Sequence, residues 1–489
     1  MKPEEELMQQ RIKKLKFLRD KNINPYNYRF DKKNTALEIL EDNKNLKDGE
    51  KTNKEVSVAG RIISLRVMGK ASFGHIKDFT GDIQFYIKED EVGKDTYEIF
   101  NKLDIGDIIG INGIVFRTQK GEISILVKSL ELLTKNLRPL PKEWYGLKDV
   151  EARYRQRYVD LIVNTDVKKI FLKRNEIIQA MREFLIKNGF VEVETPILQP
   201  IYGGTSARPF ESYLNALNMK VYMRISNELY LKRLIVGGYE RIFEFSKDFR
   251  NEGIDKVHNP EFLQMETMWA YADYKDNMKF CEDMISYIAK KVLGDLKIKV
   301  GNNIIDLKTP WKRIRFSDAL KQYAKVDIND LTLEKAKKYA KDFKIDISKF
   351  ENTGEILIAI FETMVQPKLI QPTLVYDYPR EAFGLAKVNR KDERFSEAFE
   401  PIINGVELGL SYSEENNPER LKEYWREAEK NFKKGDVEAQ RLDEDFIRSL
   451  EYGMPPTSGF GIGIDRLVMV LTNTDSIRDV ILFPFMRPK

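Results

Sequence analysis

Cysteine is nearly absent from this 489-residue chain, with Cys281 its only example. One thiol excludes an internal disulfide framework and a cysteine-built zinc site, and it fits a reducing compartment. Histidine is almost as scarce, and His75 and His258 are too few for a multi-histidine metal centre. No apolar run approaches the ~20 residues that span a bilayer. The opening MKPEEELMQQ is too acidic and polar for a secretory signal. A dominant charge sign is missing too: 82 Lys and Arg against 77 Asp and Glu leave +5, which permits a polyanionic partner without requiring one. What is present, 42% hydrophobic and 33% charged residues, is the balance of a folded chain. The length exceeds one ordinary core. The expectation is a cytoplasmic enzyme of several domains that does not enter a membrane.

Changes of period divide the chain. Residues 1–50 form a helical extension, in which Met8, Ile12, Leu15 and Leu18 share one helix face and Arg11, Lys13, Lys14, Lys16 and Arg19 the other. That basic face is either solvated or a grip on phosphates. Residues 51–136 switch to short, β-branched, partly alternating segments, with turns at Gly81-Asp82 and Lys120-Gly121. About five strands in so short a span fit an OB-fold barrel, which often binds single-stranded nucleic acid. A linker at 137–150 contains LRPLPKEWYG. Residues 151–489 mix long helices and strands, including a helix from Val167 to Lys187 and a strand VEVETP stopped by Pro196, with a Lys-rich helical insertion near 333–365. The fold class is therefore α+β, an N-terminal barrel followed by a larger domain.

Four segments of the larger domain carry chemistry. In 241–274 a strand runs into a charged loop and out into a second strand, placing Arg250, Glu252 and His258 beside the loop. Arginine's fork suits a phosphate, and Phe262 offers a flat face to a base. A plain hairpin with surface ion pairs explains this segment equally well. In 458–473, Gly459, Gly461 and Gly463 alternate, so a strand would put all three on one face and admit a flat ligand. Arg466 then opens a helix. In 399–417, Glu400 and Glu407 flank an Asn404-Gly405 turn and are hard oxygen ligands suited to Mg²⁺ on nucleotide phosphates, or else exposed hairpin charges. PIYGGTSARPFESY, 200–213, reads as a loop over a site or simply on the surface.

In order, these are a helix ending in a strand at Pro196, an Arg–loop–Phe hairpin, and a Gly-alternating strand entering an Arg-headed helix. The series resembles motifs 1, 2 and 3 of the class II aminoacyl-tRNA synthetases. RVMGKASF, RYRQRYVDL, GGTSARPF, ELYLKRL, FRNEGI, HNPEF, AYADY and GFGIGIDRL are similar to the lysyl members, bacterial type, and the likeness runs through nearly the whole chain. It implies an antiparallel catalytic sheet flanked by helices. It also implies a ligase that joins lysine and ATP into lysyl-adenylate and transfers lysyl to the 3′ end of tRNA(Lys). Arg250 and Arg466 would be catalytic. Arg250, Glu252, His258, Phe262, Glu400 and Arg466 would bind ATP, and Glu400 and Glu407 would carry Mg²⁺. Gly204, Glu228, Glu266, Tyr412 and Glu414 would bind the amino acid, with Glu228 and Glu414 facing its ammonium. Arg61, Phe73, Gln84 and Phe85 would meet the anticodon, with core packing the competing explanation for Phe85. Motif 1 implies a homodimer.

The pocket departs from the family's pattern at three places. E-x-Y is here Glu266-Thr267-Met268, N-G-[FY]-S-E is Leu410-Ser411-Tyr412-Ser413-Glu414, and S-P-L-A is Phe383-Gly384-Leu385-Ala386. These changes remove polar partners from the pocket. Two further readings therefore stand beside lysine–tRNA ligation: a synthetase for a lysine analogue or another cationic amino acid, and a silent tRNA-binding paralogue.

Overall fold

The computed structural model describes residues 3–141, 147, 149–329, 331–348, 350, 352–433 and 441–488, with backbone alone at 3 and 427–433. Part of the expected linker, 142–146 and 148, lies outside the described residues. The chain forms two compact units, Met1–Leu147 and Lys148–Lys489.

The first unit is a closed five-stranded barrel: β1 (Lys51–Met68), β2 (Ala71–Lys77), β3 (Asp82–Lys88), β4 (Ile108–Arg117) and β5 (Ile123–Thr134), in the order β1-β2-β3-β5-β4. Parallel pairing of β3 with β5 completes the circuit. Alternation sends Ile83, Phe85 and Ile87 inward and Gln84, Tyr86 and Lys88 outward. The expected extension is part of this unit. Helix Pro3–Asp20 puts Leu18, and helix Ala36–Asp42 puts Ile39, into the barrel's own core. A Thr35–Glu38 capping box fixes the start of the second helix. Arg11 does not join the basic face expected of it. It is buried, donating to the Ile105 and Arg138 carbonyls at 2.9 and 3.2 Å and to the Asn136 side chain. Lys14 is taken by Asp104 at 2.6 Å, which leaves Lys13, Lys16 and Arg19 exposed.

The second unit is built on a nine-stranded sheet. From one edge run Lys312–Arg315, Thr373–Pro379, Phe395–Ile403, Gly409–Ser413, Thr457–Gly463, Glu261–Ala270, Arg241–Phe249 and Val191–Glu192, with Val406–Glu407 hairpinned onto Phe395–Ile403. The pairings are antiparallel except at the two ends, where the outermost strands pair in parallel. Helices Thr165–Lys187, Tyr274–Leu293 and Ile464–Thr472 bury Ile177, Met181, Ile285, Ile288, Leu467 and Val468 in the main core. Helix Glu228–Val236 buries Leu231 and Ile235 in a second core with Met268, Trp425 and Phe446. The expected insertion holds helices Leu333–Asp342 and Thr353–Met364, packed with Phe316, Val375 and Ile402. VEVETP is shorter as a strand than its sequence predicts. The strand covers only Val191–Glu192, with one more bond from the Val193 N–H to the Phe243 carbonyl at 2.9 Å, and beyond it the Thr195 N–H and hydroxyl turn to the Glu244 carboxylate at 3.2 and 2.7 Å instead of a ladder.

Candidate active site

The hairpin strands Arg241–Phe249 and Glu261–Ala270 run in register, with Asp248 opposite Phe262. The glycine-rich strand lies on the other side of Glu261–Ala270, where Gln264, Glu266 and Met268 stand opposite Gly463, Gly461 and Gly459. Cross-strand partners share a face. Three positions without side chains therefore leave room beside Gln264 and Glu266, and a cavity of about 410 Å³ opens there. Every residue expected at the ATP, amino-acid and metal positions lines this one cavity: Gly204, Glu228, Arg250, Glu252, His258, Phe262, Glu266, Glu400, Glu407, Tyr412, Glu414 and Arg466.

One end is cationic and aromatic. The Arg250 guanidinium lies 5.1 Å from the centre of the Phe262 ring. Burial pulls it below its ordinary value, while Asp248 and Glu252 oppose that shift. Arg466 donates to Glu407 at 2.6 Å and approaches His258 Nε2 at 3.2 Å. His258 Nδ1 meets Asp255 at 2.8 Å. Proton placement follows: Nδ1 carries the hydrogen to Asp255 and Nε2 accepts from Arg466. Glu400 accepts from the Tyr378 hydroxyl at 2.6 Å. Burial and the Glu407 charge hold the Glu400 carboxyl well above the usual carboxylate range, and Glu362 adds to the push. Glu362, on helix Thr353–Met364, is a third acid here that the sequence reading missed, because its helix reads as part of an insertion.

The other end is acidic. Helix Glu228–Val236 carries Glu228 on its first turn, and Glu414 follows strand Gly409–Ser413. Both carboxylates reach the Lys232 ammonium at 2.5 Å. Burial pushes the Glu414 carboxyl up to about 8, with Lys232 pulling the other way. Glu266 is raised well above the usual range by burial and by Glu228. Gly204 sits at φ +91°, and a Cβ there would press on Ser226 and Glu228. Lys232 was not among the expected residues, although ELYLKRL spells an i,i+4 Glu–Lys pair.

The family described as tRNA synthetases class II (D, K and N) matches residues 149–487, and the OB-fold nucleic acid binding domain matches residues 56–133. The chain is 50% identical over 487 residues to the lysine–tRNA ligase of Carboxydothermus hydrogenoformans, covering 99% of this chain and 98% of that one. It is 49% identical over 485 residues to that of Bacillus subtilis, covering 99% and 97%. The chain belongs to the lysine–tRNA ligase family of class II tRNA synthetases.

The synthetase's three departures from the expected pattern meet in space, with Met268, Leu410 and Phe383 packed in one apolar cluster. Met268 is fully buried, and the Cβ position of Gly459 falls beside its thioether. Phe383 stacks toward Tyr412 with centroids 6.4 Å apart. Gly384 leaves its Cβ position to the ring of Tyr424, from helix Pro418–Lys433. Burial and the charge of Glu228 raise the Tyr424 phenol. A phenol thus comes near the acidic end from a different element than the E-x-Y position.

On the synthetase's barrel, one anticodon expectation fails. Phe85 is 0% exposed and packs edge-on against Phe100, so it belongs to the core. Its neighbour Tyr86 takes the outer face instead, stacked on Phe73 at 4.3 Å. Gln84 is also outside, donating to Glu122 at 2.7 Å and accepting from Ser124 at 2.7 Å. His75 completes that row with a 2.8 Å contact to Glu122. Arg61 lies opposite Lys77, but its Nη1 donates to the Gly106 carbonyl at 2.7 Å. Among the described residues no helix is long and apolar enough to cross a membrane.

Proposed function

We propose that this synthetase activates lysine with ATP and transfers it to tRNA(Lys), using the single cavity described above. The observation that carries the reading is the convergence of Glu228 and Glu414 on one ammonium at 2.5 Å each, in a cavity whose far end holds Arg250 beside Phe262. An ammonium side chain fits the acidic end, and aspartate or asparagine would meet repulsion or leave buried charge unpaired. Arg250 binds the α-phosphate and the lysine carboxylate, and holds the charge that develops as the carboxylate oxygen attacks phosphorus and pyrophosphate leaves. Phe262 stacks on adenine, Glu252 accepts from its amino group, and Arg466 with His258 binds the outer phosphates. Glu266 and the Gly204 backbone receive the α-ammonium. The 3′-terminal ribose hydroxyl of the tRNA then attacks the adenylate carbonyl, and AMP leaves.

Glu400 and Glu407 suit Mg²⁺. They are hard oxygen donors, and the crowding that raises Glu400 is what a cation relieves. Among the described residues no three His, Cys, Asp or Glu side chains gather around one metal position. Magnesium bound there would be held by Glu400 and Glu407 and would supply charge neutralisation on the nucleotide phosphates. Phe73, Tyr86 and Gln84 form the anticodon face. Motif 1 builds a homodimer, supported by Leu172, Ile186, Val191 and Leu198, which stay exposed on that helix and on the strands after it. The site of action is the cytoplasm.

Pyrophosphate exchange into ATP, run with the full chain and each amino acid in turn, tests the reading. Lysine alone supports rapid exchange, and the product then charges tRNA(Lys). Exchange with a different amino acid, or with none, overturns it.

A further inference from the structure

A site that recognises an ammonium carries one of its own. Lys232 lies one turn after Glu228, and its side chain is 1% exposed. Its Nζ stands 2.5 Å from Glu228 Oε1 and 2.5 Å from Glu414 Oε2, and 5.6 Å from the centre of the Tyr412 ring. The two contacts differ in kind. The one to Glu228 is an aligned hydrogen bond, whereas Glu414 Oε2 has no aligned donor.

Two carboxylates out of water do not both stay charged without a cation beside them. Around this end stand Glu228 on the same helix, Glu266 from strand Glu261–Ala270, Tyr412 on strand Gly409–Ser413 and Glu414 just after that strand. Asp248 acts on Glu266 from strand Arg241–Phe249, and Tyr424 faces Glu228 from helix Pro418–Lys433. Burial works against the charge on Lys232, but Glu228 and Glu414 outweigh it and hold the ammonium above the usual lysine range. Glu228, Glu266 and Glu414 thus face one fixed cation, so Glu266 and Glu414, both held above the usual carboxylate range, ionise fully only when two more positive charges arrive. A lysine substrate brings two, its α- and ε-ammonium groups.

We propose that Lys232 is a tethered counter-cation that positions Glu228 and Glu414 for the substrate ammonium and sets the pocket's charge so that a diammonium amino acid balances it. This rests on the lysine reading above. With Lys232 in place the Glu414 carboxyl holds its proton to about pH 8, and without Lys232 the converged carboxyls hold a shared proton to higher pH. An arriving lysine must displace it. That cost is present below the pKa of the shared proton and disappears as pH rises through it.

The test compares wild type with Lys232→Met, as full-length proteins, by lysine-dependent pyrophosphate exchange from pH 6.5 to 9. The expected result is a lysine KM raised by about tenfold or more at pH 7, an effect in the range found for buried charge partners. The gap narrows steadily toward pH 9, kcat changes by about threefold or less, and the ATP KM stays within about twofold. A variant-to-wild-type KM ratio that is constant across pH, or a parallel rise in the ATP KM, assigns Lys232 to the scaffold alone and overturns the proposal. If thermal melting shows Lys232→Met unfolded, the charge-balanced Lys232→Met/Glu414→Gln variant replaces it. That variant is expected to raise the lysine KM without the extra pH dependence, and a wild-type KM in it overturns the proposal. Absence of lysine-dependent exchange in the wild type defeats the lysine reading itself, a different outcome from an active wild type with a constant ratio.

Discussion

Gly459 shows how closely the acidic end is fitted. A Cβ added there would collide with a Glu414 carboxylate oxygen and press on the Met268 thioether. The flanking sheet leaves the strand no room to shift, since Gly459 is laddered to Met268 on one side and to Tyr412 on the other. Gly459→Ala therefore displaces Glu414 while leaving Arg250 and Phe262 in place. A lost charge pair costs about 2–5 kcal/mol, so the lysine KM rises by tenfold or more and the ATP KM stays near wild type, read by exchange kinetics. Single residues were unevenly legible in the sequence. Glu228 and Glu414 carry charge, and their resemblance to known positions marks them. Lys232 hides because an i,i+4 pair on a helix usually means a solvated face, and burial becomes visible only when the helix docks. Glu362 is silent for the same reason, since nothing local says that its helix ends beside Glu400.

At the scale of elements, period two did most of the work. Alternation marked the barrel strands and the glycine-rich strand, a charged loop between two apolar strands marked the motif 2 hairpin, and each forms where expected. The same rule corrects Phe85. Ile83, Phe85 and Ile87 share one parity, so a strand that buries the isoleucines buries the phenylalanine. A strand cannot offer Phe85 to RNA without turning Ile83 and Ile87 to water. Two substitutions separate the faces. Phe85→Ala removes a packed core ring and destabilises the barrel by about 3–5 kcal/mol, seen as a lower denaturation midpoint. Phe73→Ala leaves that midpoint nearly unchanged. It weakens tRNA binding by about 1–3 kcal/mol, the worth of one base–aromatic stack, seen as a raised KM for tRNA with the lysine and ATP KM values unmoved. VEVETP marks the limit of periodicity: alternation predicts a longer strand, and a side-chain bond to Glu244 ends it early.

At the scale of the whole molecule, the motif 1 region keeps apolar side chains in water. Val191 is 51% and Leu198 53% exposed, beside an edge strand with an unpaired side. Edges of this kind are normally covered, and the homodimer proposed above would cover both surfaces at once. Val191→Lys together with Leu198→Lys is expected to shift the protein from dimer to monomer in sedimentation equilibrium, whereas Tyr452→Lys, at another exposed position, is not. The sequence named the segment that would pair but could not show its exposure, which depends on how the helix and sheet pack.

The account turns on two carboxylates reading one ammonium, and norleucine, which is lysine without its ε-ammonium, probes that directly. The measurement is kcat/KM for lysine and for norleucine in pyrophosphate exchange, in wild type and in Glu228→Gln/Glu414→Gln. Wild type is expected to favour lysine by about 10⁴-fold or more, the discrimination typical of a site built on polar partners. The double variant should lose most of that preference, chiefly through lysine. A double variant that still prefers lysine as strongly as the wild type would contradict the account.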